Sequence, residues 1–224
     1  MGKYLTQMET QFIHNSVNLT HANAIMDIGA EAGRFSQVPT DKEATIVSLD
    51  IDSYGLKRLH LKTKQANVIQ ADARKIPLKD ETFDVIFMIE TLDYIPELNE
   101  TLAEIHRTLK SNASLILSFG NKSSLKSKLR ELRGKSYMHS YRNVLQSILK
   151  TGFTVKRKMG YSWLPFGRTS QNRLVPLLTF GERIFGLRRI PSLSPWVIIY
   201  AIKRSSSIQA QKNNKNSYGL ENHK

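Results

Sequence analysis

Acidic side chains close four apolar runs in the first half of this chain, and a glycine follows the first of them. Asp27 lies in the run AIMDI, directly before Gly29. Asp50 ends the run TIVSL. Asp72 follows NVIQ by two residues, and Glu90 follows FDVIFMI. If each run is a strand of one parallel sheet, these acids gather at one edge, where open α/β sheets bind their ligands. A carboxylate about 20 residues after a glycine turn can accept hydrogen bonds from both hydroxyls of a ribose, which is the chemistry open to Asp50. Its plain alternative is a helix N-cap or a surface acid. Asp72 can accept from an adenine amino group, or it can be a turn aspartate. Gly29 permits a sharp turn and close approach of a ligand to the backbone. Gly33 permits tight packing at the start of the next element. Glu90 can face an ammonium group or a second substrate.

The elements that must position these residues alternate along the chain. Ala24–Ile28, Thr45–Leu49, Asn67–Gln70, Phe83–Ile89 and Ser114–Phe119 read as the first five strands. Between them, Glu31–Val38, Ser53–Lys64 and the Leu98, Leu102, Ile105, Leu109 stripe read as helices. Tyr141–Leu149 reads as a further helix stopped by Gly152, followed by strands at Phe153–Lys158 and Trp196–Lys203. Met8, Phe12 and Ile13 sit at helical spacing in a short N-terminal helix over Leu5–Val17. Strands alternating with helices imply βαβ units and a mostly parallel sheet. There is no internal repeat. Residues 1–204 read as one domain, and 205–224 as a polar, disordered tail.

Composition narrows the class. The 224 residues contain no cysteine, which excludes a disulfide scaffold and any cysteine-based metal or nucleophile site. The first residues lack the apolar core of a signal peptide, and Gly2 with Thr6 matches a myristoylation signal only loosely. The longest apolar run, Trp196–Ile202, is too short to span a bilayer. The expectation is a cytoplasmic protein, with peripheral membrane contact as a further option. Charge is divided unevenly. Residues 1–110 carry 12 Lys/Arg against 16 Asp/Glu, whereas 111–224 carry 21 against 3. Such asymmetry points the second half toward something anionic, or toward a basic solvated surface.

The ordered set of segments resembles the class I S-adenosylmethionine-dependent methyltransferase family, in particular the group acting on small molecules. Four stretches carry the resemblance: IMDIGAEAGRFS, IVSLDID, VIQADARKIPLKDETFDVIFMIETLDYI and IHRTLKSNASLILSF. It covers about residues 20–120. The resemblance implies a Rossmann-like α/β fold with a seven-stranded, mostly parallel sheet, helices on both faces and a helical insertion between strands 6 and 7. It also implies S-adenosylmethionine as cofactor, held by Asp27, Gly29, Ala30, Glu31, Gly33, Asp50, Ile51, Asp72, Ala73 and Glu90. Two departures stand out. The family usually has Asp-x-Gly-x-Gly-x-Gly, and Glu31 occupies the place of the middle glycine. Some relatives carry Glu-x-x-Glu-His after the fourth strand, and this chain has Glu90-x-x-Asp93-Tyr94, so no catalytic metal is expected.

Methyl transfer from a sulfonium is an in-line displacement in which the protein supplies orientation and electrostatics. Candidates for contact with the acceptor or its proton are Glu90, Asp93, Tyr94, His139 and Tyr141. His139 has the most suitable intrinsic pKa, and its plain alternative is a surface histidine at a helix start. The insertion 160–195 mixes Trp163, Leu164, Phe166, Leu174, Leu177, Leu178, Phe180, Ile184, Phe185 and Leu187 with Arg168, Arg173, Arg183, Arg188 and Arg189. It reads as a lid for an anionic or amphipathic small-molecule acceptor, as a membrane-surface element, or as a helix capping the sheet edge. An RNA methyltransferase is the main rival, supported by the basic second half and opposed by the lack of an RNA-binding module. An inactive cofactor-binding module is a second rival, supported by Glu31. A dinucleotide oxidoreductase is disfavoured because the Gly-x-Gly-x-x-Gly spacing is absent. Oligomeric state is not legible.

Overall fold

The computed structural model describes residues 2–35, 44–63, 66–131, 138–163 and 175–205. The order is α1 (Gly2–His14), β1 (Ala24–Ile28), β2 (Thr45–Asp50), α2 (Ser53–Lys62), β3 (Asn67–Gln70), β4 (Phe83–Ile89) and α3 (Leu98–Thr108). There follow β5 (Leu109–Gly120), α4 (Leu125–Glu131), α5 (Tyr141–Lys150), β6 (Phe153–Tyr161), α6 (Val175–Ile184) and β7 (Trp196–Lys203). The expected helix over 31–38 is corrected for its described part. Residues 31–35 form a turn, with Glu31 at φ 46° and Gly33 at φ 82°, values a helix cannot use. β5 begins five residues earlier than expected and β6 extends to Tyr161. α4 was not foreseen. The expected tail from residue 206 on, and 164–174 of the insertion, lie outside the described residues.

The sheet has seven strands in the order β3-β2-β1-β4-β5-β7-β6. β1 to β5 are parallel, and β7 inserts antiparallel between β5 and β6. Successive strands leave β1 in opposite directions, toward β2 on one side and β4 on the other, so a crevice opens beyond their carboxyl ends. Register brings the acidic tips level: Asp27 pairs with Ser48 and Phe87, and Asp50 pairs with Gln70.

Alternate residues of the strands build two cores. On one face Met26, Ile28, Ile86, Met88 and Leu117 meet Leu102 and Ile105 of α3 and Val144 and Ile148 of α5. On the other face Ile25, Phe87, Ile116 and Ile198 meet Leu5, Phe12 and Ile13 of α1. The central strands are apolar on both faces because both faces are covered.

Three polar anchors set the loops that matter for a site. Asp84 accepts the backbone N–H groups of Asn23 and Ala24 and pairs with Lys110 at 2.7 Å, which fixes the entry to β1. Glu104 and Arg107 of α3 hold the loop after β3. Glu104 accepts the Ile76 N–H, and Arg107 donates to the carbonyls of Ile76 and Leu78. The Arg107 hydrogen bond holds the Glu104 carboxyl below the usual carboxylate range. Asn121, fully buried after β5, donates to the carbonyls of Ser192 and Ser194 and accepts from the N–H groups of Ser123 and Tyr141. It joins the ends of the insertion, α5 and β5. Asn121→Ala strands several of these buried groups and is expected to cost about 3 kcal/mol in denaturant unfolding. Asn121→Asp should not rescue it, because the two carbonyls would lose their donors.

Candidate active site

Beyond the carboxyl ends of β1, β2 and β4 lies a cavity of about 1130 Å³. Its wall includes Asp27 to Glu31, Asp50 to Asp52, Ala71 to Arg74 and Glu90, with Gly2 and Thr6 of α1 completing it. The turn after β1 fits only because three glycines let backbone approach closely. At Gly29, with φ 74°, a Cβ would collide with the Thr91 side chain, whose hydroxyl lies 3.1 Å from the carbonyls of Ile28 and Ile89. At Gly33 a Cβ would collide with Leu59 of α2. At Gly55 a Cβ would stand 3.0 Å from Glu31 Cα.

The acids at the strand tips have different surroundings. Asp50 accepts the Glu31 N–H at 2.8 Å on one oxygen and the Asp52 N–H at 2.9 Å on the other. Each oxygen keeps lone pairs for a further donor. The N-cap of α2 is Asp52, which accepts from Tyr54 and Gly55. Asp72 is gripped by Arg74, whose Nη2 lies 2.6 Å from Oδ2, and Arg74 also pairs with Glu97 at 2.8 Å. The Arg74 hydrogen bonds hold the Asp72 carboxyl below its ordinary range. Ile51, 67% exposed, presents an apolar surface beside Asp50.

A charge cluster with two shielded carboxyl groups backs the far wall. Arg34 Nη2 lies 3.2 Å from Glu90 Oε2, and its Nη1 lies 3.5 Å from Oε2 of Glu9. Glu9, on α1, is fully buried and accepts the Tyr161 hydroxyl at 2.7 Å. Burial and then the neighbouring Glu90 push the Glu9 carboxyl up to about 8, against the pull of Arg34. Burial also raises the Tyr161 phenol well above its ordinary value. A further acid, Glu182, accepts the Tyr4 hydroxyl at 2.7 Å and the Trp163 N–H at 2.9 Å, tying α1 to α6.

The structure places Asp27, Gly29, Ala30, Glu31, Asp50, Ile51, Asp72, Ala73, Glu90 and Tyr94 on this one wall, and Gly33, Asp93 and His139 off it. Asp93 receives the Gly120 N–H on both oxygens, at 3.1 and 2.9 Å, at the end of β5. His139 is 5% exposed, and its Nε2 lies 2.7 Å from the Ile95 carbonyl, so it is neither a surface group nor a base facing the cavity. Tyr141 stacks near Lys158, whose Nζ lies 5.8 Å from the ring centre. Tyr94 is 82% exposed at the mouth. Glu31 is exposed and stands on the cavity wall. Glu9, Arg34 and Thr91 escaped the sequence reading. A signal for Glu9 was present: Leu5, Glu9 and Ile13 follow one another at four-residue steps, which puts the acid on the buried face. Among the described residues no group of three or more His, Cys, Asp or Glu could hold a metal ion.

Residues 26–117 match the family described as a methyltransferase domain. Among curated proteins, sterol methyltransferase-like 3 of Botryococcus braunii is 29% identical over 115 residues, 48% of this chain and 29% of that protein. Malonyl-(acyl-carrier protein) O-methyltransferase of Hamiltonella defensa is 29% identical over 102 residues, 46% of this chain and 40% of its own. The chain thus spans less than half the length of these relatives. Among solved structures, a SAM dependent methyltransferase from Archaeoglobus fulgidus superposes with a TM-score of 0.64 at 17% identity, covering 91% of this chain and 95% of that one. The cyclase SpnF gives 0.66 at 15% identity, covering 91% and 83%. Likeness at these identities shows a common fold.

Two outcomes follow from the site. Glu9 keeps its proton in the folded state while the unfolded chain loses it near 4.5, so stability falls as pH rises from about 4.5 to about 8 and then levels. Glu9→Gln should flatten that fall in a series of melting curves. Glu31→Gly relieves a left-handed side-chain residue and should raise unfolding stability by about 0.5–1 kcal/mol. A loss of stability would show that the Glu31 side chain makes a compensating contact.

Proposed function

We propose that the chain, which matches a methyltransferase domain over residues 26–117, works as a class I S-adenosylmethionine-dependent methyltransferase and moves a methyl group from that cofactor to a small-molecule acceptor that is anionic or amphipathic. The observation that carries the reading is the convergence of Asp27, Asp50 and Asp72 on one cavity at the switch between β1 and β4.

The donor set fits the cofactor. Asp50, oriented by two backbone N–H groups, offers free lone pairs to ribose hydroxyls, with apolar Ile51 beside it for a base. Asp72 and Ala73 stand at the next strand tip, where an adenine amino group would be received. Asp27, Gly29 and Ala30 would hold the methionine end with Glu90 and Arg34. When bound, the cofactor supplies an electrophilic methyl carbon on a sulfonium. The chain's part is to bind, orient and exclude water, and to accept a proton near Glu90, the cavity acid that Arg34 steadies. Tyr94, 82% exposed on the cavity wall, is placed to meet an arriving acceptor.

The acceptor class rests on the surface after β5. Leu125 and Leu129 of α4, and Phe180, Ile184, Phe185 and Leu193 at the insertion, are all more than half exposed, with Arg183 and Arg189 among them. Lys126 of α4 donates to the Ser162 carbonyl, which brings the two segments together. Apolar groups set among cations suit an anionic amphiphile or a lipid-linked substrate. Relatives named for sterols and for malonyl-(acyl-carrier protein) are in keeping with this. No helix among the described residues is long and apolar enough to cross a membrane, so contact with a bilayer would be peripheral.

Purified protein given labelled cofactor with fractionated cell extract should label an organic-soluble or acidic small molecule. Label appearing only in RNA would favour the nucleic-acid reading, and label appearing nowhere the inactive module. Asp50→Ala should weaken binding of S-adenosylhomocysteine by about 1–3 kcal/mol in calorimetry. Asp72→Ala should cost less, because Arg74 already occupies that carboxylate.

A further inference from the structure

We infer that Glu9 and Glu90 form a proton-holding pair whose charge answers to the charge of the nucleotide in the cavity, so that S-adenosylmethionine and S-adenosylhomocysteine bind with different release of protons. This rests on reading the cavity as the cofactor site.

One guanidinium serves two carboxyl groups. Arg34 reaches Glu90 at 3.2 Å and Glu9 at 3.5 Å. Among the described residues, the other elements packed against Glu9 supply no second cation. β6 contributes the uncharged Tyr161 hydroxyl, which donates to Glu9, and β5 contributes Ser118, whose hydroxyl oxygen accepts the Glu90 N–H and which hydrogen-bonds the Tyr161 phenol. With both carboxyls ionised the cluster would carry one negative charge in excess, on two carboxyl side chains that are only 0% and 8% exposed. Such an imbalance is costly, and one bound proton removes it. The raised pKa of Glu9 agrees with that count.

Glu90 and Arg34 line the cavity while Glu9 stands behind them, so the pair senses charge placed there. S-adenosylmethionine carries one positive charge more than S-adenosylhomocysteine, at the sulfonium. A cation in the cavity balances the second carboxylate and favours loss of its proton. Without that cation the proton stays. By linkage, the pH dependence of affinity must differ between the two nucleotides. The arrangement also suits a protic acceptor. Once the extra cation is gone, the ionised pair with Arg34 has one negative charge in excess, and the proton given up by a hydroxyl or amine restores neutrality.

The test is calorimetric titration of the full chain near neutral pH with each nucleotide in turn, in two buffers of different ionisation heat. S-adenosylmethionine should release more protons than S-adenosylhomocysteine, and Glu9→Gln should abolish the difference while both still bind. Equal release in the unmodified protein, or an unchanged difference in Glu9→Gln, would overturn the inference. Failure of either nucleotide to bind would remove the cofactor-site reading itself and this inference with it. Should the variant not fold, the infrared C=O band of a protonated carboxyl decides the matter in the unmodified chain. The band should weaken with S-adenosylmethionine and persist with S-adenosylhomocysteine, and identical spectra would refute the pair.

Discussion

The turn after β1 is held in place by steric near-contact on three sides, and the site depends on it. Gly29 lies against Thr91, Gly33 against Leu59, and Glu31 against Gly55. The contacts join two elements to the same five residues: the tip of β4, and α2 at its middle and at its start. Backbone bonds from Gly29 and Ala30 to the Leu49 carbonyl add to this, and the Glu31 N–H donates to the Asp50 side chain. That bond orients Asp50 and fixes the spacing between the first and second strand tips. The turn tolerates a glutamate at positive φ because its N–H is bonded to Asp50 and its side chain is exposed, at a strain cost of about 1–2 kcal/mol.

The same economy governs the loops around it. The segment bearing Asp72 is not self-supporting. Glu104 and Arg107 grip it from α3 through backbone groups of Ile76 and Leu78, so an ion pair on a helix face sets the place of an acid at a strand tip. The Ile-Pro-Leu segment, prominent in the sequence, is the part so gripped. Asp84 does the equivalent task at the opposite edge, where it fastens the entry of β1. Polar residues outside the cavity therefore carry much of its geometry.

Legibility from sequence followed locality. The bounds of β1, β3, β4 and β7 could be read to the residue, because each is a short segment rich in apolar and β-branched residues between turn signals. The acids at 27, 50 and 72 could be assigned to one edge because parallel register follows from the alternation of elements. The helix expected at Glu31 failed because Gly33 supports a left-handed turn rather than a helix start, and composition alone does not distinguish the two. His139 was misjudged because its partner, the Ile95 carbonyl, lies 44 positions away. Glu9 shows the same limit more strongly. Its helical spacing hints at burial, but its partners Tyr161 and Arg34 belong to distant segments, and no local pattern announces a carboxyl that holds its proton.

The polar anchors of α1 have a consequence for biosynthesis. Tyr4 meets Glu182 across 178 positions, and Glu9 meets Tyr161 across 152. A ribosome adding about 5–20 residues per second exposes the first helix on the order of ten seconds before those partners emerge. The parallel half of the sheet can assemble in that interval, but the helix that finishes the cavity wall must wait for the last third of the chain to secure it.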